Sequence, residues 1–298
     1  MKILFATDGS DYSRAAARFL ARFPFAADDE ITVLHAMSWV PFKDDRESHY
    51  AGLKRIKQEI APRILDEAVT ILKSRKAKIS VALEEGDPDK TILDGAAASG
   101  ADLIVMGARG LKSIKSFLLG SVTRSVAINS SKPLLVTKAL KGERSERMRV
   151  LFATDGSSSS LATAAFLGSL PFPEATELVL MNVAWSAASD IPERFVMEVD
   201  DKIKEHVARA RSIEMEASER IIDQTKPHLG KRFAKITDLS KGGDPSMEII
   251  DEAERMNADL IAVGSRGLKG VRGMLGSVSR RILGHAHCSV LIGKESGD

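Results

Sequence analysis

The chain carries its opening twice. Met1-Lys2-Ile3-Leu4-Phe5-Ala6-Thr7-Asp8-Gly9-Ser10 returns as Met148-Arg149-Val150-Leu151-Phe152-Ala153-Thr154-Asp155-Gly156-Ser157, 147 residues later. Pro24-Phe25 recurs at the same offset as Pro171-Phe172. Gly86-Asp87-Pro88 recurs as Gly243-Asp244-Pro245, and Gly107-Ala108-Arg109-Gly110-Leu111-Lys112 as Gly264-Ser265-Arg266-Gly267-Leu268-Lys269, both offset by 157. Four landmarks in one order mark an internal duplication. The ten-residue change of offset places an insertion in the second copy between its second and third strands. A fold for this chain must therefore be one that about 150 residues can complete, used twice. The boundaries expected are 1–140 and 148–298, with the polar, charged stretch 141–147 as linker.

Within each copy short apolar runs alternate with helical spacing. In the first, strands are expected over Lys2–Thr7, Ile31–Ala36, Lys78–Leu83, Asp102–Met106 and Leu134–Thr137. Helices are expected over Ser13–Phe23, Leu53–Ser74, Asp89–Ser99 and Ser121–Asn129. The second copy matches, with strands near Arg149–Thr154, Glu177–Val183, Arg232–Leu239, Asp259–Val263 and Ser289–Ile292. Continuous apolar strands alternating with helices predict an α/β fold with a doubly wound, buried parallel sheet in each half. In such sheets a ligand sits at the carboxyl edge, where the winding reverses. Asp8-Gly9 and the Gly107 loop both leave carboxyl ends of strands.

The Gly107 loop is the strongest candidate site. It follows Asp102-Leu103-Ile104-Val105-Met106 and runs Gly107-x-x-Gly110, nine residues, Gly120-Ser121, before a helix. Glycines let a ligand approach the main chain, and Gly120-Ser121 puts amides and a hydroxyl at a helix N-terminus, where negative charge is favoured. Arg109, Lys112 and Lys115 give the loop one sign of charge; Arg266, Lys269 and Arg272 repeat it. No Gly-x4-Gly-Lys-Ser/Thr and no Gly-x-Gly-x-x-Gly is present, which disfavours a P-loop hydrolase and a standard dinucleotide site.

Asp8 and Asp155 read either as turn or cap aspartates or as carboxylates that meet a ribose or base, or a metal together with phosphates. Asp87 and Asp244 read as helix starts with Pro at the first position. His35 reads as structural, because its counterpart is Asn182. His285, His287 and Cys288 lack an evident fourth metal ligand and read as strand entry with a buried thiol. The helices around Lys54–Lys76 and Asp200–Lys226 read as solvated faces.

The formal net charge of +2 and 5% aromatic content argue against a nucleic-acid binder. No apolar stretch approaches a membrane span. One cysteine excludes an intrachain disulfide, and an acid at position 8 comes too soon for a signal peptide, so a cytoplasmic protein is expected.

These residues resemble the universal stress protein family over nearly the whole chain. Its Gly-x2-Gly-x9-Gly-Ser/Thr signature is met by Gly107, Gly110, Gly120 and Ser121, and the Ala-Thr-Asp-Gly-Ser opening and Gly-Asp-Pro are similar as well. The resemblance implies two five-stranded parallel sheets of strand order 3-2-1-4-5, paired through their fifth strands as a pseudo-twofold dimer within one chain, with a homodimer as a further assembly. It implies ATP as ligand, with any Mg held through the phosphates. Adenine and ribose contacts fall on Ala6, Thr7, Asp8, Ala36, Met106 and Gly107. Phosphate contacts fall on Arg109, Gly110, Gly120, Ser121, Val122 and Thr123. In the second copy the positions are Ala153, Thr154, Asp155, Val183, Val263, Gly264, Arg266, Gly267, Gly276, Ser277, Val278 and Ser279. There only eight residues separate Gly267 from Gly276. Gly270 and Gly273 make that loop pliable, but a deletion there can also displace the helix start by a residue's reach, ~3.5 Å.

The function expected is a non-catalytic or very slowly hydrolysing ATP-binding stress regulator. In it the nucleotide orders the loop and the segments Ser38–Tyr50 and Ser186–Asp200 and so alters the surface met by an unknown protein partner. The alternatives are a slow ATPase or phosphotransferase using Asp8 and Ser121, and a partner-binding scaffold with vestigial pockets.

Overall fold

The structure is a computed structural model and describes residues 1–38, 47–73, 76–110, 119–138, 147–185, 200–268 and 274–295. The chain divides into two compact units, Met1–Arg144 and Ser145–Glu295. Lys112, Lys115, Lys269, Gly270, Arg272, Gly273, most of 141–147 and most of the segments 38–50 and 186–200 lie outside the described residues.

In the first unit the order is β1 (Lys2–Ala6), α1 (Asp11–Leu20), β2 (Glu30–Met37), α2 (Glu47–Leu72), β3 (Lys78–Glu85), α3 (Pro88–Ala98), β4 (Leu103–Gly107), α4 (Ser121–Asn129) and β5 (Leu134–Thr137). The strands pair in parallel in the order β3-β2-β1-β4-β5. The second unit runs β6 (Arg149–Ala153), α5 (Ser158–Ser169), β7 (Glu177–Ala184), α6 (Asp201–Thr225), β8 (Lys235–Gly242), α7 (Pro245–Arg255), β9 (Leu260–Gly264), α8 (Ser277–His285) and β10 (Ser289–Gly293). Its strands repeat the arrangement as β8-β7-β6-β9-β10. The winding reverses between β1 and β4, and between β6 and β9. The central strands are buried along their length, as a sheet covered on both faces requires. The terminal strand β3 is largely exposed.

The second unit absorbs the insertion before the last turn of α6. Gly9 and Gly156 adopt left-handed φ values of +76° and +74°, and a Cβ on either would lie 3.0 Å from Ile64 or 3.4 Å from Ile221. Ile64 and Ile221 are offset by 157, so the sequences are already back in step there. Further along, Leu72 ends α2 while its counterpart Leu229 ends a 3₁₀ turn, Lys226–Leu229. Pro227 explains the change, because it removes an amide from what would be the helix's last turn. Both leucines are fully buried.

Candidate functional site

The turn after β1 is built by its own side chains. The Ser10 amide donates to Asp8 Oδ1 at 3.0 Å, an Asx-type turn that the left-handed Gly9 makes affordable for the backbone. Ser10 then caps α1 by accepting from the Ser13 amide at 3.2 Å. The Ser13 hydroxyl donates back to the Ser10 carbonyl at 2.9 Å and lies 3.2 Å from Thr7 Oγ1. The second unit repeats the set: the Ser157 amide donates to Asp155 Oδ1 at 3.0 Å, Ser157 accepts from the Ser160 amide at 3.3 Å, and the Ser160 hydroxyl donates to the Ser157 carbonyl at 2.9 Å.

Beneath this turn sits the second strand. His35 Nδ1 lies 2.8 Å from the Thr7 carbonyl. In the second unit Asn182 Nδ2 donates to the Thr154 carbonyl at 2.6 Å. The carbonyl that follows the first strand is satisfied in each case, which is the structural role read for His35.

The glycine loop meets this turn from β4. A Cβ on Gly107 would come within 2.8 Å of the Tyr12 carbonyl carbon, and one on Gly264 within 2.9 Å of Ser159 Oγ. Glycine is required there by the first turn of the neighbouring helix. Ala108 donates its amide to the Thr137 carbonyl at 2.8 Å. The loop then passes Asp8 so closely that a Cβ on Gly110 would overlap Asp8 Oδ2. In the second unit the same approach ends in a hydrogen bond: the Leu268 amide donates to Asp155 Oδ2 at 3.1 Å. Both oxygens of Asp155 are thus bonded within the protein, one holding its own turn and one holding the glycine loop.

The loop closes on itself. The Gly120 amide donates to the Ala108 carbonyl at 3.0 Å, and the Thr123 hydroxyl to the Gly107 carbonyl at 3.0 Å. The matching bonds in the second unit are Gly276 amide to Ser265 carbonyl at 2.8 Å and Ser279 hydroxyl to Gly264 carbonyl at 2.6 Å. The one-residue deletion between Gly267 and Gly276 therefore leaves the start of α8 in the same relation to β9 that α4 has to β4. Neither Gly120 nor Gly276 supplies a side-chain cap. The first-turn amides of Ser121 and Val122, and of Ser277 and Val278, are the orphan donors of a helix N-terminus, with the exposed Ser121 hydroxyl beside them.

The remaining expected positions take their places around this edge. Ala6, Met106 and Val263 are buried at strand ends. Ala36 and Val183 stand near the ends of β2 and β7, and Ala153 ends β6. The two arginines are engaged differently, Arg109 by the first turn of α1 and Arg266 by the segment after β10. Arg109 lies over the Tyr12 ring, 5.5 Å from its centroid, and donates to Tyr12 Oη at 3.2 Å. Arg266 pairs with Glu295 at 3.4 Å, and the Ser158 hydroxyl donates to the same carboxylate at 3.1 Å. Tyr12, Glu295 and the serine pairs 10/13 and 157/160 were not read as site residues from sequence; the repeated Ser-x-x-Ser was the signal available for the last.

Asp244 caps α7 by accepting from the Met247 amide at 3.0 Å, while Asp87 stands at the N-cap of α3 without such a bond. The Ser246 hydroxyl at 2.6 Å, then the Met247 amide, hold the Asp244 carboxyl below the usual carboxylate range. Cys288 is buried at the entry to β10, and His287 lies 3.1 Å from Glu254. Among the described residues no three His, Cys, Asp or Glu side chains are grouped to hold a metal ion. No described helix is long and apolar enough to cross a membrane.

Comparison with known proteins agrees with this geometry. The family model described as the universal stress protein family matches residues 1–138 and again 146–294. A universal stress protein of Mycolicibacterium smegmatis is 26% identical over 297 residues, covering 97% of this chain and 96% of that protein. One of Thermus aquaticus is 33% identical over 136 residues, covering 46% of this chain and 97% of its own length. The crystal structure of a universal stress protein from Archaeoglobus fulgidus shares the fold, with a TM-score of 0.64 and 22% identity, covering 100% of this chain and 97% of that one. The chain belongs to the universal stress protein family and carries two consecutive copies of its module.

Proposed function

We propose that each unit binds ATP at the carboxyl edge of its sheet and that the chain acts as a non-catalytic, nucleotide-dependent stress regulator. The observation that carries this reading is the repeated loop closure. Gly120 and Gly276 each bring an uncapped helix N-terminus back against the end of the fourth strand, at 3.0 and 2.8 Å from the Ala108 and Ser265 carbonyls. Orphan amides held in place this way suit a phosphate chain. The strand ends at Ala6, Ala36 and Met106, and at Ala153, Val183 and Val263, offer the apolar side that an adenine ring needs.

The cationic side chains play a smaller part in this reading than the backbone. Arg109 is engaged by Tyr12 and braces the loop against the first helix, and Arg266 is engaged by Glu295 of the segment after β10. Asp8 and Asp155 hold the turns after β1 and β6, and Asp155 also anchors the glycine loop. Asp155 in particular has both oxygens committed to protein amides and a hydroxyl, which disfavours it as a general base and so disfavours turnover.

Mass spectrometry of the denatured purified protein, with mant-ATP titration of the nucleotide-stripped protein, tests the reading. Adenine nucleotide released at up to two per chain, or saturable binding below about 1 mM, is the expected result. Absence of both sinks it.

A further inference from the structure

We propose that the exposed edge of β3 pairs with β3 of a second copy of this chain, antiparallel, across a twofold axis at Val81. The strand is terminal in its sheet. Its pairing with β2 is fixed by the Lys78 amide donating to the Asp29 carbonyl at 2.8 Å and the Gly86 amide to the Met37 carbonyl at 3.1 Å. Backbone groups alternate sides along a strand. The even-numbered residues therefore turn their amides and carbonyls to β2, and Ile79, Val81 and Leu83 turn theirs outward. Val81 and Leu83 are 57% and 40% exposed. An edge of this kind is a template for another strand.

The sequence of the edge is complementary to itself in one register. With Val81 opposite Val81 of the second copy, Ile79 meets Leu83 and Lys78 meets Glu84. Val81 and the Ile79–Leu83 pairs fall at hydrogen-bonded positions of the new ladder, giving about six backbone hydrogen bonds. The three apolar contacts lie on one face, and the two Lys–Glu pairs close the other. Opposite charges across a pair favour it and like charges oppose it. Such an arrangement is isologous and closes as a dimer.

The second unit supplies the contrast. The counterpart of Val81 is Asp238, of Leu83 Ser240, and of Glu84 Lys241. The same register on β8 would set Asp238 against itself and Lys235 against Lys241. Asp238 is moreover held by Lys226 at 2.7 Å, and Lys241 by Glu248 at 3.3 Å and Glu252 at 3.2 Å. One edge is guarded by charge in the usual manner of edge strands, and the other is not.

Sedimentation velocity of the full chain, from about 1 to about 100 µM, tests the pairing. The parent is expected to move from one chain to two, and Val81→Asp to stay at one chain throughout. Lys78→Glu is expected to weaken association about tenfold, and Lys78→Glu/Glu84→Lys to restore it. A parent that stays a single chain at the highest concentration overturns the proposal. So does a Val81→Asp variant that associates like the parent, or a charge exchange that restores nothing. Should Val81→Asp fail to fold, the charge exchange alone decides. None of these readouts depends on nucleotide.

Discussion

Asn182 donates to the carbonyl of Thr154 at 2.6 Å, and His35 meets the carbonyl of Thr7 in the same place at 2.8 Å. What both units keep is a donor to the last carbonyl before the Asp-Gly turn, not an imidazole. His35→Asn should therefore leave stability within about 0.5 kcal/mol of the parent. His35→Ala, which leaves the carbonyl without its partner, should cost about 1–2 kcal/mol. Urea unfolding of the two variants checks the difference, and an Asn variant as damaged as the Ala variant would show that the ring itself matters.

Gly110 and Asp8 are in van der Waals contact before any side chain is added. Gly110→Ala is expected to push the Asp8 carboxylate out of its turn and to weaken mant-ATP binding in the first unit about tenfold. Gly267→Ala, where the new Cβ would sit 2.7 Å from Asp155 Oδ2, should do the same in the second. The thermal midpoint should move little in either case, since both glycines lie in loops. Unchanged titrations would detach the loop's position from binding.

Gly293 and Thr163 form a matched pair. A Cβ on Gly293 would lie 2.6 Å from Thr163 Cβ, so Gly293→Ala should cost about 1–3 kcal/mol through overpacking. The first unit carries the opposite choice, Thr137 on the strand and Ala16 on the helix. Adding Thr163→Ala to Gly293→Ala should recover most of the loss, and a double-mutant cycle measures the coupling.

Thr137 has its own liability. Its hydroxyl is buried and has no hydrogen-bond partner among the described residues, whereas Thr163 bonds the Ser159 carbonyl at 2.7 Å. Thr137→Val keeps the shape and removes the unmet group, and is expected to stabilise the protein by about 1 kcal/mol. A lower unfolding midpoint for this variant would contradict that.

Glu252 is 1% exposed and is held by Arg255 and by Lys241. The hydrogen bond from Arg255, ahead of that from Lys241, keeps its carboxyl below the usual value. A carboxyl lowered by folding contributes stability that is complete above its unfolded pKa of about 4.3 and is lost as pH falls through the lower folded value. Glu252→Gln should cost about 1–3 kcal/mol at pH 7. The gap between parent and variant should narrow only below about pH 4.3. Urea midpoints from pH 7 to pH 3 test this; a gap that does not depend on pH would assign the loss to packing.

The strands were legible almost to the residue, because buried parallel strands are unbroken apolar runs. β5 and α4 agree with their expected bounds, the others shift by one to three residues, and α2 begins six residues early, at Glu47 instead of Leu53. β8 begins at Lys235 instead of Arg232, at the position equivalent to the Lys78 that opens β3. α1 begins at Asp11, two residues early, because Ser10 caps it with a side chain that an apolar pattern does not register. Gly107 and Gly264 were legible because the first turn of the neighbouring helix approaches there and leaves no room for a Cβ. The partners of Arg109 and Arg266 were not. Tyr12 and Glu295 are 97 and 29 residues away in sequence, and only the topology brings them to the loop. Nor did the shortened second loop disclose that its helix start would be held in place.

The helix starts show what divergence of a duplicated chain leaves fixed. Thr123 and Ser279 moor each helix to the strand before it with a hydroxyl, beside the amides of Gly120 and Gly276. Nine residues lead from Gly110 to Gly120 and eight from Gly267 to Gly276, yet both helices land in the same place. A module anchored at its landing point can change the length of chain that leads there without disturbing its fold.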